Sequence, residues 1–210
     1  MKHVALDIGN VLVHADFKGF ISKLSKTLNI SLEEATYFMN RSQKLHDLGL
    51  TVMRDELADH LKVKSQPLMD ELVGAWNSCI NEDVSTVSQI NHLMKKNKIK
   101  VALLSNVGIE HSQRMAGILN RDGFFDRCVK YFSCQVGARK PSSLYYQSFL
   151  QLHPEWKGAA YVDDLQENLD ASKPFGFRTF RFSLEETNVF NYTDKLQELE
   201  DFILYDRSNG

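Results

Sequence analysis

The sequence VALDIGNVLV, at residues 4–13, decides the predicted fold, because it has the form of a buried strand that ends in a carboxylate. Three apolar residues lead into Asp7, and a Gly-Asn pair then precedes a second apolar run. As the first strand of an open α/β sheet, this stretch would place Asp7 at the carboxyl end, where such sheets carry their ligand sites. A carboxylate there acts as a nucleophile, a metal ligand or both. Asp and Asn are also ordinary turn residues, so this stretch alone does not decide the chemistry.

Four further short apolar runs predict strands, and helical periodicity lies between most of them. The five predicted strands are 4–7, 101–105, 129–132, 159–163 and 178–182. Strands that alternate with helices indicate a parallel sheet with flanking helices, the doubly wound, Rossmann-like α/β class.

The interval 14–88 contains no convincing strand pattern. Apolar residues recur there at helical spacing in four segments, and Ser31 with Glu34 forms the capping-box pattern of a helix start. We predict an α-helical cap at 14–88, inserted into a core formed by 1–13 and 89–210; a single long crossover connection is the alternative. Apolar stripes favour a buried position for each large cap side chain that is a candidate for substrate contact. These side chains are Phe17, Phe20, Tyr37, Phe38, His46 and Trp76.

The composition narrows the function classes. The 210 residues are 43% hydrophobic and 25% charged, with a formal net charge of −2, so we expect neither nucleic acid nor an acidic membrane as partner. The basic run at 95–100 is typical of a helix end before a strand. Three cysteines without CxxC spacing favour a reducing compartment over a disulfide frame. No apolar run approaches about 20 residues and no signal-peptide pattern is seen, so the expected location is cytoplasmic.

Two further segments carry polar residues that suit an anion. The strand at 101–105 ends in Ser105 and Asn106, where a hydroxyl and the following amide can hold a phosphate oxygen. In GARKP, at 137–141, Pro141 fits the first position of a helix, which would set Lys140 at a positive helix end. A plain strand-to-turn Ser-Asn and an exposed lysine are the structural alternatives.

The adjacent carboxylates Asp163 and Asp164 lie at the end of the fourth predicted strand. Two such groups repel each other unless a cation lies nearby. Mg²⁺ is the natural partner, because it prefers hard oxygen ligands and is usually held by one or two carboxylates with phosphate and water.

The order strand-Asp, strand-Ser, Lys and strand-Asp-Asp resembles the haloacid dehalogenase-like (HAD) hydrolase superfamily over essentially the whole chain. The segments DIGNVLV, LLSN, GARKP and VDDLQEN look like the branch with bacterial glucose-1-phosphate phosphatases and the N-terminal phosphatase domain of soluble epoxide hydrolases. The segment HDLG, at 46–49, resembles that branch's Glu-x-Gly cap segment less closely.

The resemblance implies a Mg²⁺-dependent phosphatase acting on a small phosphorylated metabolite, and we expect a sugar phosphate. Asp7 would attack phosphorus and form an aspartyl-phosphate intermediate. Mg²⁺ would be held by Asp7, the Gly9 carbonyl and the pair Asp163 and Asp164, of which Asp164 is the expected direct ligand. The phosphoryl group would be bound by four residues: Asn10, Ser105, Asn106 and Lys140.

Gly9 departs from most phosphatases of the superfamily, which carry a general acid-base Asp at this position. Losing a general acid-base costs roughly 10²–10⁴-fold in rate. The resembling glucose-1-phosphate branch also has Gly, and its carbonyl would still reach the metal. We therefore expect substrates with a good leaving group, such as anomeric sugar phosphates, or an acid supplied by His14 or Asp16.

Three other activities remain open. A 2-haloacid dehalogenase uses the same Asp nucleophile without magnesium, but typically has an aromatic residue at the Gly9 position and an early cap Arg, whereas the first Arg here is Arg41. A phosphotransferase or mutase would pass phosphate from Asp7 to a sugar. A non-catalytic binding protein would keep only the fold, and loss of Asp7 or the Asp-Asp pair would then be expected.

Overall fold

The computed structural model describes residues 2–187 and 191–204 as a parallel sheet with flanking helices and a separate group of four helices. The strands are β1 His3–Leu6, β2 Val13–Ala15, β3 Ile80–Glu82, β4 Lys100–Ser105, β5 Val129–Phe132, β6 Ala160–Asp163 and β7 Arg178–Arg181. The helices that precede β5 in the chain are α1 Phe17–Leu28, α2 Leu32–Asp47, α3 Met53–Asp59, α4 Gln66–Asn77, α5 Val84–Lys96, α6 Ile109–Leu119 and α7 Phe124–Arg127. The later helices are α8 Ser133–Val136, α9 Ser143–Leu152, α10 Gln166–Ser172 and α11 Tyr192–Leu204.

The main sheet has five parallel strands in the order β5-β4-β1-β6-β7. From β1 the chain crosses to β4 and β5 on one side and returns to β6 and β7 on the other. The strand order therefore reverses beside β1, and open α/β sheets bind ligands at such a switch point. All five predicted sheet strands are confirmed, with ends within one residue of those expected.

Alternation along the strands divides the core between the two faces of the sheet. Val4 and Leu6 of β1 pack in the larger cluster with α5, α6 and α11, whereas Ala5 faces a cluster rich in aromatic residues that includes Tyr161. Strands with both faces buried read as continuous apolar runs, which explains why the sequence pattern located them.

Helices α1–α4, called the helical cap below, pack around an apolar cluster of their own that includes Phe20, Leu72 and Trp76. Ser31 and Glu34 form the expected capping box at the start of α2. Tyr37 was expected to be buried, but 73% of it is exposed because it points away from this cluster. The 14–88 limits stay a prediction; residues 84–88 begin α5, whose Val87 packs in the main core.

The expectation of no strand within 14–88 is wrong. β2 and β3 pair antiparallel, with His14 opposite Asn81, and join the two ends of the cap. Strands of three residues are too short to produce a detectable alternating pattern. In the described ranges, 2–187 and 191–204, no helix has the length and apolarity needed to cross a membrane.

We predict that Ser31→Ala lowers the free energy of unfolding by about 1 kcal/mol, because the Ser31 hydroxyl accepts the Glu34 N–H at the start of α2. Urea denaturation measures this change. Ser65→Ala is the matched control, since Ser65 precedes α4 without a side-chain capping bond and its loss should cost little. Equal losses in both variants would contradict the assigned capping contribution.

Candidate active site

Three carboxylates meet at the switch point of the sheet. The parallel register pairs Leu6 with Val162, and the Asp7 N–H donates to the Val162 carbonyl at 2.9 Å. Asp7 therefore lies beside Asp163 and Asp164, and one oxygen from each carboxylate lies within 4.8 Å of the others. The structure thus brings together the acidic residues that the sequence analysis selected from stretches more than 150 residues apart.

Lys140 joins this group as a buried counter-charge. Its Nζ lies 2.9 Å from Asp7 Oδ1 and donates a 2.7 Å hydrogen bond to Asp163 Oδ2, and the side chain is only 1% exposed. The Asp7 contact is an ion pair without good hydrogen-bond alignment. Burial alone would lower the pKa of Lys140, but the charges of Asp163 and Asp7 raise it above its ordinary value. Lys140 is therefore a fixed cation at the carboxyl ends of the sheet strands.

The expectation that Pro141 begins a helix is wrong. Helix α9 begins at Ser143 with Ser142 as N-cap, so Lys140 precedes the helix by three residues. Its placement comes from Asn106 instead: the Lys140 N–H donates to Asn106 Oδ1 at 2.8 Å, and Asn106 Nδ2 donates to the Lys140 carbonyl at 2.9 Å. The Asn106 side chain thus holds the lysine backbone, while phosphate binding by the Asn106 backbone amide stays a prediction.

Asp163 is saturated with hydrogen-bond donors. Besides Lys140, it accepts from the Leu165 N–H at 2.9 Å, from Asn168 Nδ2 at 3.0 Å and from the Tyr161 hydroxyl. Burial alone would raise its pKa, but Lys140 and these donors lower it, so Asp163 is an anion with both oxygens engaged. The supporting roles of Tyr161 and Asn168 were not predicted from the sequence. Tyr161 had a detectable signal, since residues i and i+2 of a strand share a face.

Asp164 and Asp7 have fewer partners than Asp163. The Asp164 carboxylate accepts one bond within the described chain, from Asn10 Nδ2 at 3.4 Å. Burial, followed by the charges of Asp7 and Asp163, raises the pKa of Asp164 to about 7. Burial likewise raises the pKa of Asp7 to about 6, although Lys140 opposes this effect. Nearby positive charge therefore does not fully offset the negative charge of Asp7 and Asp164.

The donor set fits a divalent cation. When all three carboxylates are ionised they carry three negative charges, against the one ammonium that contacts the group in the described residues, so a divalent ion would balance the charge. Oxygen ligands are those that Mg²⁺ prefers. Asp7 and Asp164 have carboxylate lone pairs available, whereas those of Asp163 are occupied. The geometry therefore favours Asp164 over Asp163 as the direct ligand.

The other predicted residues lie around this group. Ser105 ends β4, the strand next to β1, and is buried. The Asn10 side chain is held at both ends, because Oδ1 accepts the Ala15 N–H at 3.1 Å and Nδ2 reaches Asp164. The candidate acids are also engaged: His14 Nε2 lies 3.2 Å from Asp83 Oδ2, and Asp16 accepts the Gly19 N–H at the start of α1.

Comparison with known proteins gives structural relatives alone: no protein-family model and no curated protein matches the chain. A HAD family enzyme from Bacteroides thetaiotaomicron aligns with a TM-score of 0.74 and 19% identity, over 92% of this chain and 98% of that chain. A predicted HAD-like family hydrolase from Porphyromonas gingivalis aligns at 0.70 and 18% identity, over 94% and 98%. L-2-haloacid dehalogenase from Xanthobacter autotrophicus, with chloropropionic acid covalently bound, aligns at 0.56 and 15% identity, over 96% and 86%.

These alignments span nearly the whole length of each protein, including the helical cap of this chain. The described chain therefore has the HAD-like fold, as the motif order implies. At such low sequence identity, structural similarity shows a shared fold but not a shared activity. The activity has to be argued from the site.

We expect Mg²⁺ to stabilise the protein against unfolding, because it would relieve the repulsion among the three carboxylates. At about 100 times its dissociation constant, an ion that binds the folded state adds about 2.7 kcal/mol. Thermal unfolding with and without Mg²⁺ measures the effect. Asp164→Asn should remove most of it, whereas Asp170→Asn, on the exposed side of α10, should keep it. Equal Mg²⁺ shifts in wild type and Asp164→Asn would contradict the assigned ligand.

Proposed function

We propose that this chain, whose fold is that of HAD family enzymes, is a Mg²⁺-dependent hydrolase of small phosphomonoesters. The observation that supports the proposal is the cluster at the switch point, where one oxygen each of Asp7, Asp163 and Asp164 lies within 4.8 Å of the others and the buried Lys140 contacts both Asp7 and Asp163. This combination supplies a carboxylate nucleophile, a site for a divalent ion and a fixed cation for an anionic substrate.

The residues that would hold Mg²⁺ are Asp7, Asp164 and the Gly9 carbonyl, with Asp163 orienting the group through Lys140. When bound, the ion supplies positive charge that offsets the charge of the phosphoryl oxygens. Support for this assignment comes from a neighbour in the HAD family, since the Bacteroides enzyme was also solved in complex with magnesium and inorganic phosphate.

In the proposed reaction, a carboxylate oxygen of Asp7 attacks phosphorus, and the bond from phosphorus to the ester oxygen breaks. The leaving alkoxide takes a proton from a water molecule and departs as an alcohol. A second water then attacks phosphorus of the aspartyl phosphate, the bond from phosphorus to the Asp7 oxygen breaks, and inorganic phosphate and the Asp7 carboxylate are released while the proton of the attacking water passes to solvent or to the phosphate. Lys140 keeps the nucleophile ionised and reduces its repulsion from the substrate, while Ser105 and the Asn106 backbone amide hold phosphoryl oxygens.

Gly9 supports a preference for substrates whose leaving group needs little protonation. One atom of each candidate acid already has a partner, since His14 Nε2 contacts Asp83 and Asp16 Oδ1 accepts the Gly19 N–H. An anomeric sugar phosphate departs as a hemiacetal oxygen, which requires less proton transfer than an ordinary alcohol. We therefore propose sugar phosphates as the substrate class. If the closed cap excludes water, transfer of phosphate from Asp7 to a sugar is the related alternative.

Dehalogenation is the second candidate, because a haloacid dehalogenase is among the structural neighbours. It accounts less well for the acidic cluster, since displacement of halide from carbon needs no metal. Arg41, the first arginine, is also committed within the cap: its Nη1 donates to the buried Glu56 carboxylate at 3.0 Å. Chelation separates the two activities, because EDTA should abolish phosphate release and leave halide release intact.

Phosphate release from a panel of phosphorylated metabolites, including anomeric and terminal sugar phosphates with Mg²⁺, tests the proposal. Asp7→Asn should lower kcat by about 10⁴-fold or more, because the amide is not a nucleophile. Asp170→Asn is the control and should retain the wild-type rate. Equal background rates from wild type and Asp7→Asn would instead favour a non-catalytic binding protein.

Gly9→Asp tests the leaving-group preference. A Cβ at Gly9 would have Ala15 Cβ as its nearest neighbour at 3.8 Å, an ordinary contact, so the position has room for a Cβ atom. An added general acid should raise the rate on alkyl phosphates by about 10²-fold or more and change anomeric phosphates much less. Steady-state kinetics on both substrate types measures this difference. If alkyl phosphates gain no rate, the leaving-group explanation is wrong.

A further inference from the structure

One short segment of the cap contacts both loops that carry the proposed phosphate-binding residues. Residues 46–49, called the docking segment below, span the end of α2 and the turn that follows it. Their partners lie in two core loops: residues 106–108, directly after Ser105, and the chain from β5 to Lys140.

Asp47 and Arg139 form the charged contact of the docking segment. Arg139 donates to Asp47 Oδ2 from Nη2 at 2.7 Å and from Nε at 3.2 Å. The Asp47 side chain is 5% exposed, so this carboxylate lies away from water and depends on its partner. Burial raises the pKa of Asp47 above its ordinary value, although the charges of Arg139 and Lys140 oppose this effect. Arg139 is also the residue directly before Lys140.

Two close backbone approaches flank this ion pair. A Cβ on Gly108 would lie 3.1 Å from both the Nδ1 and the carbonyl oxygen of His46, so the loop after Ser105 packs directly against the docking segment. A Cβ on Gly49 would lie 2.6 Å from the Cys134 carbonyl oxygen, and Gly49 has a φ of +70°. Glycine is therefore required at Gly49 for both space and backbone conformation.

The two core loops are also joined to each other. The Asn106 amide group bonds the backbone N–H and carbonyl of Lys140, and the Val107 N–H donates to Ser133 Oγ at 2.9 Å. These bonds fix the loops relative to each other, and the docking segment packs against both loops from the cap side.

We propose that Asp47, with Arg139, is a positioning residue that holds Lys140 and the loop after Ser105 in their phosphate-binding arrangement. This inference rests on the proposed function and deepens it, because it makes correct assembly of the phosphate site depend on docking of the cap. Asp47 touches no reacting atom; it acts through Arg139. Its loss should impair the chemical step for every substrate, including those too small to reach the cap.

Asp47→Asn tests the proposal, since it removes the charge while keeping the shape. We expect kcat to fall roughly 10- to 100-fold on both a sugar phosphate and p-nitrophenyl phosphate, with little change in KM, as small misplacements of catalytic groups do. The Lys140 backbone N–H, which donates to Asn106, should also exchange with solvent deuterium faster than in wild type.

Further variants separate positioning from loss of structure. Arg139→Lys keeps the charge without the two-nitrogen geometry, and its kcat should lie between those of wild type and Arg139→Gln. Arg139 is partly exposed, so we expect its variants to fold, and they test the proposal if Asp47→Asn does not fold. Asp70→Asn is the matched control: Asp70 pairs with Arg54 at 2.6 Å within the cap, and its loss should change neither kcat nor Lys140 exchange.

The outcomes are distinct. Unchanged kcat with raised KM and wild-type protection of the Lys140 N–H would overturn the proposal and leave the docking segment as a simple cap contact. If the wild-type protein releases phosphate from no ester, the proposed function fails. The exchange comparison between wild type and Asp47→Asn still decides in that case whether the docking segment holds Lys140.

Discussion

The contact of Lys140 Nζ with Asp7 and Asp163 is the interaction on which the site depends. Removing three charged side chains from water is costly, and their mutual attraction offsets this cost only when the geometry is good. The Tyr161 hydroxyl and Asn168 supply the additional bonds that such a buried group needs. Because the lysine comes from a loop and the acids from two strands, the contact also joins the loop to the switch point of the sheet.

The same contact leaves a charge imbalance, which gives the site its proposed chemistry. Lys140 neutralises one carboxylate, and the donors around Asp163 account for the most deeply buried of the three. The remaining repulsion falls on Asp7 and Asp164, whose pKa values burial raises to about 6 and about 7. Acids with such raised pKa values cost stability unless a cation offsets their charge, which is the physical reason for proposing a metal ion at this site.

Structural features that depend on residues close together in the chain could be predicted from the sequence. Buried parallel strands read as apolar runs, and the residues at their carboxyl ends converge by the geometry of the sheet, so the three acids could be selected without coordinates. Other features depend on contacts between remote segments. The bonds from the Asn106 side chain to Lys140, and the pairing of Asp47 with Arg139, have no periodic pattern. The helix start expected at Pro141 was wrong. The preference of Pro for the first position of a helix is local, whereas the Arg139–Lys140 segment is held by contacts with Asn106 and Asp47.

The residues of the site are held in place in two different ways. The acids are fixed by the sheet, since the Asp7 N–H bonds to β6 and Asp163 accepts from the residues that follow it. Ser105 lies at a strand end, and Lys140 lies in a loop that no ladder of backbone bonds holds. Preorganised catalysis requires loop residues to be fixed as tightly as strand residues. Side chains have to supply this rigidity, which is why the side chains of Asn106 and Arg139 matter to the proposed phosphate site although neither side chain is assigned a contact with phosphate.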